Sequence, residues 1–355
     1  MKAWNLENIG VLKYSEDFAR PLIREHEVLI SVKAAGICGS DIQRVYENGA
    51  YRMPMIIGHE FAGQVVETGA QVSNEWMNKR VGIYPLIPCT ECSSCLEKKY
   101  EMCSHYSYLG SRENGGFGEY VAVPEWNLIQ LPESVNYEQA AMLEPMGVAV
   151  HAIRRLNMDE STTIVVYGLG TIGQLLIMFL LEKGMKNIYA IGSKASQKEA
   201  VTALGISKQN YCDSREHDVT NFVQHMTNKK GADVIFECVG KNETVTQAIE
   251  LAAAGGQICL VGNPYTDIKL NKTTYWKILR HQLTLIGTWN SSFWGEQDYE
   301  AAQDDWHYVL RCLEDNRIAP EKLITHRLSI VDLYRGFEIM KDKSEEYIKI
   351  MMVNI

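Results

Sequence analysis

The chain has 355 residues, and its 35 Lys and Arg against 44 Asp and Glu leave a formal charge of −9. That balance disfavours nucleic acid or an anionic membrane as the main partner, because both reward basic patches. With 46% hydrophobic and 22% charged residues the composition is that of a folded chain of about two domains, and its longest apolar run, Ile172 to Leu181, is shorter than the ~20 residues that cross a bilayer.

The first third carries short strand-like runs, EVLISV (27–32) and FAGQVV (61–66), separated by Gly, Pro and Asn signals, and predicts a β-rich domain. Met1 to Glu7 lacks the basic stretch and apolar core of a secretory signal, so a reducing, cytoplasmic setting is expected. Between the strands stand Gly36-Ile37-Cys38-Gly39-Ser40-Asp41 and Gly58-His59-Glu60, and further on Glu144-Pro145. Cysteine, histidine and glutamate are all competent zinc ligands, and three protein ligands with one exchangeable position define a catalytic site. Any one of these residues alone is more often ordinary core or surface. Asp41 either orients such a ligand or caps a turn.

Cys89, Cys92, Cys95 and Cys103 follow in the pattern C-x2-C-x2-C-x7-C, a crowding that suits tetrahedral thiolate ligation of zinc. A pair of disulfides fits the expected compartment poorly, and a redox C-x-x-C pair carries two cysteines, not four. Four thiolates leave zinc no open position, so this lobe is expected to hold shape and not to perform chemistry. Cys212, Cys238, Cys259 and Cys312 are scattered and read as small core residues.

From about Ser161 the pattern changes to apolar strands alternating with helical stretches: TTIVVYG (162–168), IYAIG (188–192), DVIFECVG (233–240) and QICLVG (257–262). This predicts a parallel α/β sheet. Gly168-Leu169-Gly170-Thr171-Ile172-Gly173 follows a strand and opens a helix, the context in which G-x-G-x-x-G binds a dinucleotide at a helix N-terminus. Val239, Val261 and Gly262 fall at the carboxyl edge where such a cofactor lies. The acid that usually selects NAD is absent from the end of the second strand, which reads Gly192-Ser193-Lys194. Ser193 and Lys194 offer a hydrogen bond and a positive charge to a 2′-phosphate, so the reading leans toward NADP(H). After about Leu285 come Trp289, a helical stretch over 300–316 and the apolar run YIKIMMVN (347–354).

Taken in order, GICGSD, GHE, the cysteine quartet and GLGTIG resemble the zinc-dependent medium-chain dehydrogenases over nearly the full length. The resemblance implies an α/β enzyme with a GroES-like β-rich catalytic domain over 1–147, holding a structural zinc lobe at about 86–105. It further implies a Rossmann doubly wound parallel sheet over 148–284 and a return to the catalytic domain over 285–355. It assigns a catalytic zinc to Cys38, His59 and Glu144, with Glu60 as a fourth ligand or an outer partner, and gives the Ser40 hydroxyl the role of passing a proton to the nicotinamide ribose. Glu144, where many alcohol dehydrogenases carry cysteine, resembles the polyol dehydrogenase branch.

Narrower runs, NGAYRMP (48–54), GSRENGGFGEY (110–120), LEPMGVAVHA (143–152) and KILRHQLTLIGTW (277–289), resemble the polyol-phosphate dehydrogenases. They imply a substrate of the galactitol 1-phosphate or tagatose 6-phosphate type, with Arg112 gripping the phosphate and Asn48, Trp289 and Asn290 on the pocket wall. That group is typically NAD-linked, and Gly192-Ser193-Lys194 departs from it. An unphosphorylated polyol, threonine or a simple secondary alcohol is the enzymatic alternative; a non-catalytic cofactor-binding subunit is the alternative of another class, and it predicts lost ligands. The family is commonly dimeric or tetrameric, so a homo-oligomer is expected, and YIKIMMV is compatible with subunit pairing.

Overall fold

The computed structural model describes residues 1–295 and 303–354. The chain divides into two compact units, Met1–Gly147 with Ser291–Ile355, and Val148–Asn290.

The first unit is built on a seven-stranded sheet. Its path runs Leu128–Gln130, Arg80–Ile83, Glu60–Thr68, Glu27–Ile37, Lys349–Val353 and Ile324–Leu328, with Tyr120–Pro124 also pairing with Glu27–Ile37. Glu27–Ile37 is more buried than simple alternation implies, because side chains pack on both of its faces. Phe61, Phe117, Phe337, Ile30 and Leu6 form the centre of this core, with Phe117 and Phe337 edge to face at 5.8 Å. The apolar run near the C-terminus lies inside this sheet as Lys349–Val353, hydrogen-bonded on both sides, so it has no free edge for a second subunit. Strand pairing thus joins the last residues of the chain to residues near position 36.

The second unit is a six-stranded, wholly parallel sheet in the order Tyr211–Asp213, Asn187–Gly192, Thr163–Tyr167, Ala232–Glu237, Ala252–Leu260, Thr284–Gly287. Near-continuous Val and Ile in Thr163–Tyr167 and Ala232–Glu237 bury these strands on both faces, as a doubly wound sheet requires. The short outer strand Tyr211–Asp213 and the edge strand Thr284–Gly287 have no strong apolar run and escape a reading by pattern. Pairing with Ala252–Leu260 keeps Thr284–Gly287 in this sheet, so the chain leaves the unit after Asn290 and not at Leu285.

The helix expected over 300–316 is seen as Asp305–Glu314, where Asp304 accepts hydrogen bonds from His307 N and Nδ1 at 2.9 and 2.8 Å; positions 300–302 lie outside the described residues. Among the described residues no helix is long and apolar enough to cross a membrane.

Candidate active site

The cysteine lobe is local. Thr90 and Lys98 take positive φ values of 64° and 57° and turn the chain sharply around the short helix Ser93–Leu96. This folds the four sulfurs toward one point. Cys92 Sγ lies 3.5 Å from Cys95 Sγ and 3.9 Å from Cys103 Sγ, and Cys89 Sγ lies 4.0 Å from Cys95 Sγ. Thiolates placed tetrahedrally about zinc at ~2.3 Å stand ~3.8 Å apart, whereas a disulfide draws its sulfurs to ~2.05 Å. All nine cysteines are free. Backbone N–H groups of Cys95 and Ser104 aim at Cys92 and hold its thiol down to about 5, favouring the thiolate that a metal needs.

A second ligand group is assembled from distant segments. Ligand atoms of Cys38, His59 and Glu60 lie within 4.8 Å of one another. Cys38 ends the strand Glu27–Ile37 and opens a short helix, Gly39–Gln43. His59 follows Gly58, which has a φ of +97° and where a Cβ would stand 2.8 Å from the Phe117 ring. The 110–120 motif owes its glycines to the same segment. Gly115 N donates to Ile56 O and Gly116 N to Gly58 O, at 2.7 and 2.8 Å, and a Cβ on Gly115 would stand 2.0 Å from Gly58 O.

Asp41 is fully buried. One oxygen accepts from Cys38 N at 3.0 Å, while the other meets Arg44 Nη1 at 2.5 Å and faces His59 Nδ1 at 3.3 Å. Burial disfavours a charged imidazole, but the Asp41 carboxylate and then Cys38 outweigh it and hold His59 well above its ordinary value. Glu144, in the first turn of the helix Leu143–Arg154, lies outside the tight trio but within its field. Burial raises its carboxyl to about 7, with Glu60 adding to the rise and His59 and Lys349 opposing it; Tyr108 OH donates to its Oε1 at 3.3 Å. Sequence reasoning missed Lys349. It is buried, donates to Ile37 O at 3.1 Å and forms an ion pair with Glu60. A lone lysine in KIMMV was the available signal.

A cavity of 420 Å³ is lined by Ser40, Arg44, Asn48 and Tyr51 among others. Arg112 lies between two rings, its guanidinium carbon 4.2 Å from the centre of Tyr51 and 4.4 Å from that of Tyr106, and Nη1 donates to Tyr106 O at 3.1 Å. Trp289, 58% exposed, and Asn290, buried, close the second unit.

In that unit the glycine motif turns from strand to helix. Gly168 has a φ of +97°, and a Cβ on Gly173 would stand 1.9 Å from Gly168 O, so helix and turn meet backbone to backbone. Gly170 caps the helix Thr171–Glu182 and has open space where its side chain would be, a cradle suited to a phosphate group on N–H donors that include those of Thr171 and Ile172. Val239 packs over Gly168, and Gly262, next to Val261, packs on Val239 and Gly240. Buried Glu237 shapes this edge by accepting from Val239 N, Gly240 N and Thr244 Oγ1 at 3.0, 3.0 and 2.7 Å. Ser193 N donates to the Gln197 side chain at 2.9 Å, and Lys194 begins the helix Ala195–Leu204. An acid does reach this edge, but from the next strand: Asp213, beside Gly192, is paired with Arg215 at 2.8 Å.

Two domain families account for most of this architecture. Residues 24–133 match the alcohol dehydrogenase GroES-like domain and residues 171–314 match the zinc-binding dehydrogenase domain. Galactitol 1-phosphate 5-dehydrogenase of Escherichia coli strain K12 is 32% identical over 329 residues, covering 92% of each chain. L-idonate 5-dehydrogenase of Vitis vinifera is 30% identical over 347 residues, covering 95% of this chain and 90% of the relative. The crystal structure of galactitol-1-phosphate dehydrogenase from Escherichia coli superposes over 100% of both chains with a TM-score of 0.90 at 30% identity. The chain belongs to the zinc-dependent medium-chain dehydrogenases, in their polyol dehydrogenase branch. It is an oxidoreductase acting between a nicotinamide cofactor and an alcohol or its carbonyl partner.

Proposed function

We propose that the chain interconverts a polyol phosphate and a ketose phosphate, of the galactitol 1-phosphate and tagatose 6-phosphate type, with NADP(H) as the favoured hydride carrier. The observation that carries this reading is the ring-clamped Arg112 guanidinium, whose partner Tyr51 lines the cavity that starts at Ser40. An arginine held flat between rings keeps its planar donor set in one orientation, which suits a phosphate ester. The relative named for galactitol 1-phosphate supports the same class.

In this reading the first unit holds the chemistry. Cys38, His59 and Glu144 hold a catalytic zinc, which would supply the Lewis acidity that favours alkoxide over alcohol and polarises a ketone. Asp41 fixes the histidine ring from behind. The Ser40 hydroxyl, in the cavity wall, takes the substrate proton toward solvent. Asn48 contributes a polar wall to the same cavity, and Trp289 and Asn290 are assigned to substrate contacts. Cys89, Cys92, Cys95 and Cys103 hold a second, structural zinc.

The second unit binds the dinucleotide through Gly168, Gly170, Thr171, Ile172 and Gly173, with Val239, Val261 and Gly262 at the nicotinamide edge and Ser193 and Lys194 at the 2′-phosphate. The chain works as a cytoplasmic homo-oligomer. Its open edge strand Thr284–Gly287, with Leu285 38% exposed, and the neighbouring helix bearing exposed Tyr275, Trp276 and Leu279 supply a pairing face.

Initial rates on D-tagatose 6-phosphate and D-tagatose, each with NADPH and NADH, test the reading. A preference for the ester that falls at least tenfold in Arg112→Ala is expected, with the free sugar little changed. Equal loss on both substrates, or turnover of the free sugar alone, moves the enzyme to another branch of the family.

A further inference from the structure

The second strand of the parallel sheet ends without an acid, yet its neighbour brings one to the same edge. Gly192 and Asp213 are register partners in adjacent parallel strands, and Ser214 N donates to Gly192 O at 2.8 Å, so the turn after Asp213 is fastened to the start of Gly192-Ser193-Lys194. Register partners of this kind point to one face of the sheet. A Cβ on Gly192 would stand 2.9 Å from Leu169 Cδ1 and 3.0 Å from Tyr211 Cε2, so that face is the one bearing the glycine turn. Tyr211, two residues before Asp213 and on its face, donates from its hydroxyl to Lys194 O at 3.0 Å. Asp213 thus stands on the side of the sheet where Leu169 meets the segment 192–194.

Its carboxylate is covered. Arg215 Nε and Nη2 donate to Asp213 Oδ1 and Oδ2 at 3.2 and 2.8 Å, and Arg215 N donates to Oδ1 at 2.9 Å. This two-point grip fixes the guanidinium on the acid and holds the Asp213 carboxyl below its ordinary value. The Asp213 side chain is 12% exposed and that of Arg215 58%, so the cation lies outermost. Among the described residues Nη1 of Arg215 makes no hydrogen bond, and Lys198 brings another ammonium group 5.7 Å from the centre of the Tyr211 ring. A bare carboxylate at this edge would accept from the ribose hydroxyls of NAD and repel a 2′-phosphate, whereas one lying under a guanidinium does neither.

Resting on the NADP(H) reading above, we infer that Arg215 is a specificity-determining residue that covers Asp213 and turns its remaining donor to the adenosine ribose 2′-phosphate, so that an edge carrying an acid still takes NADP(H). Charge then reaches the phosphate from two strands, Lys194 after the second and Arg215 after the third. Asp213 contributes by holding the guanidinium in one orientation, which lowers the ordering cost of a bidentate donor.

The test separates the 2′-phosphate from the rest of the cofactor. Calorimetric dissociation constants for 2′,5′-ADP and 5′-AMP, which differ only in that phosphate, are measured beside kcat/KM with NADPH and NADH for the wild-type chain, Arg215→Ala, Asp213→Asn and the double variant. Arg215→Ala should weaken 2′,5′-ADP about tenfold and lower the NADPH-to-NADH ratio of kcat/KM by a similar factor, because a donor is lost and an acid uncovered together. The double variant should recover about threefold of that loss, since the repelling carboxylate is gone while the donor is still missing. Asp213→Asn alone should keep the wild-type preference for 2′,5′-ADP. A shift below about twofold in Arg215→Ala overturns the inference, as does a double variant no better than Arg215→Ala. Equal weakening of 2′,5′-ADP and 5′-AMP also overturns it, because Arg215 then serves the turn and not the phosphate. A wild-type chain that binds 5′-AMP as tightly as 2′,5′-ADP and turns over faster with NADH overturns the NADP(H) reading itself, before any substitution is made, and the two failures are thus told apart.

Discussion

The two ligand clusters of the first unit are made in opposite ways. The quartet comes from Cys89 to Cys103, one continuous loop with four identical side chains whose geometry follows from two left-handed turns and a short helix. The other cluster draws on residues 38, 59, 60, 144 and 349, and almost every member has a dedicated partner: Asp41 for His59, Tyr108 for Glu144, Lys349 for Glu60. The first brings four sulfurs together within one loop, whereas the second sets the buried carboxylates of Glu60 and Glu144 near Cys38 and His59. A locally encoded site secures the fold, and an assembled one can be tuned.

The strongest way to sharpen that contrast is to remove one ligand from each. Cys95→Ser leaves three thiols in a loop that has little apolar packing of its own, and structural zinc contributes folding energy directly. We expect the zinc content to fall from two to one and the thermal midpoint to drop, reflecting a loss of about 3 kcal/mol or more as an order of magnitude. Cys38→Ser should also remove one zinc, yet shift the midpoint much less while abolishing turnover. Scanning calorimetry with metal analysis checks both; a midpoint that moves equally in the two variants breaks the distinction between fold-holding and reacting sites.

Next in size is Asp41→Asn. The amide keeps the shape but removes the charge that Arg44 and the His59 ring both face, so the imidazole loses the partner fixing its orientation. Expected are a 10- to 100-fold fall in kcat/KM and faster loss of the catalytic zinc, with the quartet's zinc retained. Equal loss of both zincs would mean that Asp41 serves the fold, not the ligand.

The same contrast explains what was legible beforehand. The quartet and the glycine motif are read from spacing because all their parts lie within one segment, and the parallel strands Thr163–Tyr167 and Ala232–Glu237 show themselves as apolar runs. Cys38, His59 and Glu144 are separated by long stretches of chain and emerge only through resemblance to a family. Lys349 has no spacing signal at all, since its side chain meets that of Glu60, 289 residues away, only because both of their strands pair with Glu27–Ile37. Glu237 is placed at a strand end by the sequence, but its bonding role is not legible there: it satisfies backbone N–H groups of its own turn, which any polar residue at a strand end resembles in sequence. The strand Thr284–Gly287 was missed because an exposed edge strand carries little apolar pattern.

The smallest effect concerns a residue that sits between the two kinds of site. Arg112 belongs to a contiguous motif, but one face of its clamp, Tyr51, comes from a segment some sixty residues earlier and is 75% exposed. A cation over an exposed ring is stabilised by only about 0.5–1 kcal/mol, which corresponds to a roughly two- to fivefold change in an equilibrium. Tyr51→Ala should therefore raise KM for a phosphate ester by about two- to fivefold, leave kcat near wild type, and leave zinc content and the free-sugar KM unchanged. Tyr51→Phe, which keeps the ring and removes only the hydroxyl, should behave as wild type. If Tyr51→Ala instead lowers kcat on both substrates, the ring shapes the cavity beside Ser40 rather than the arginine, and the phosphate preference must then be encoded within the 110–120 loop alone.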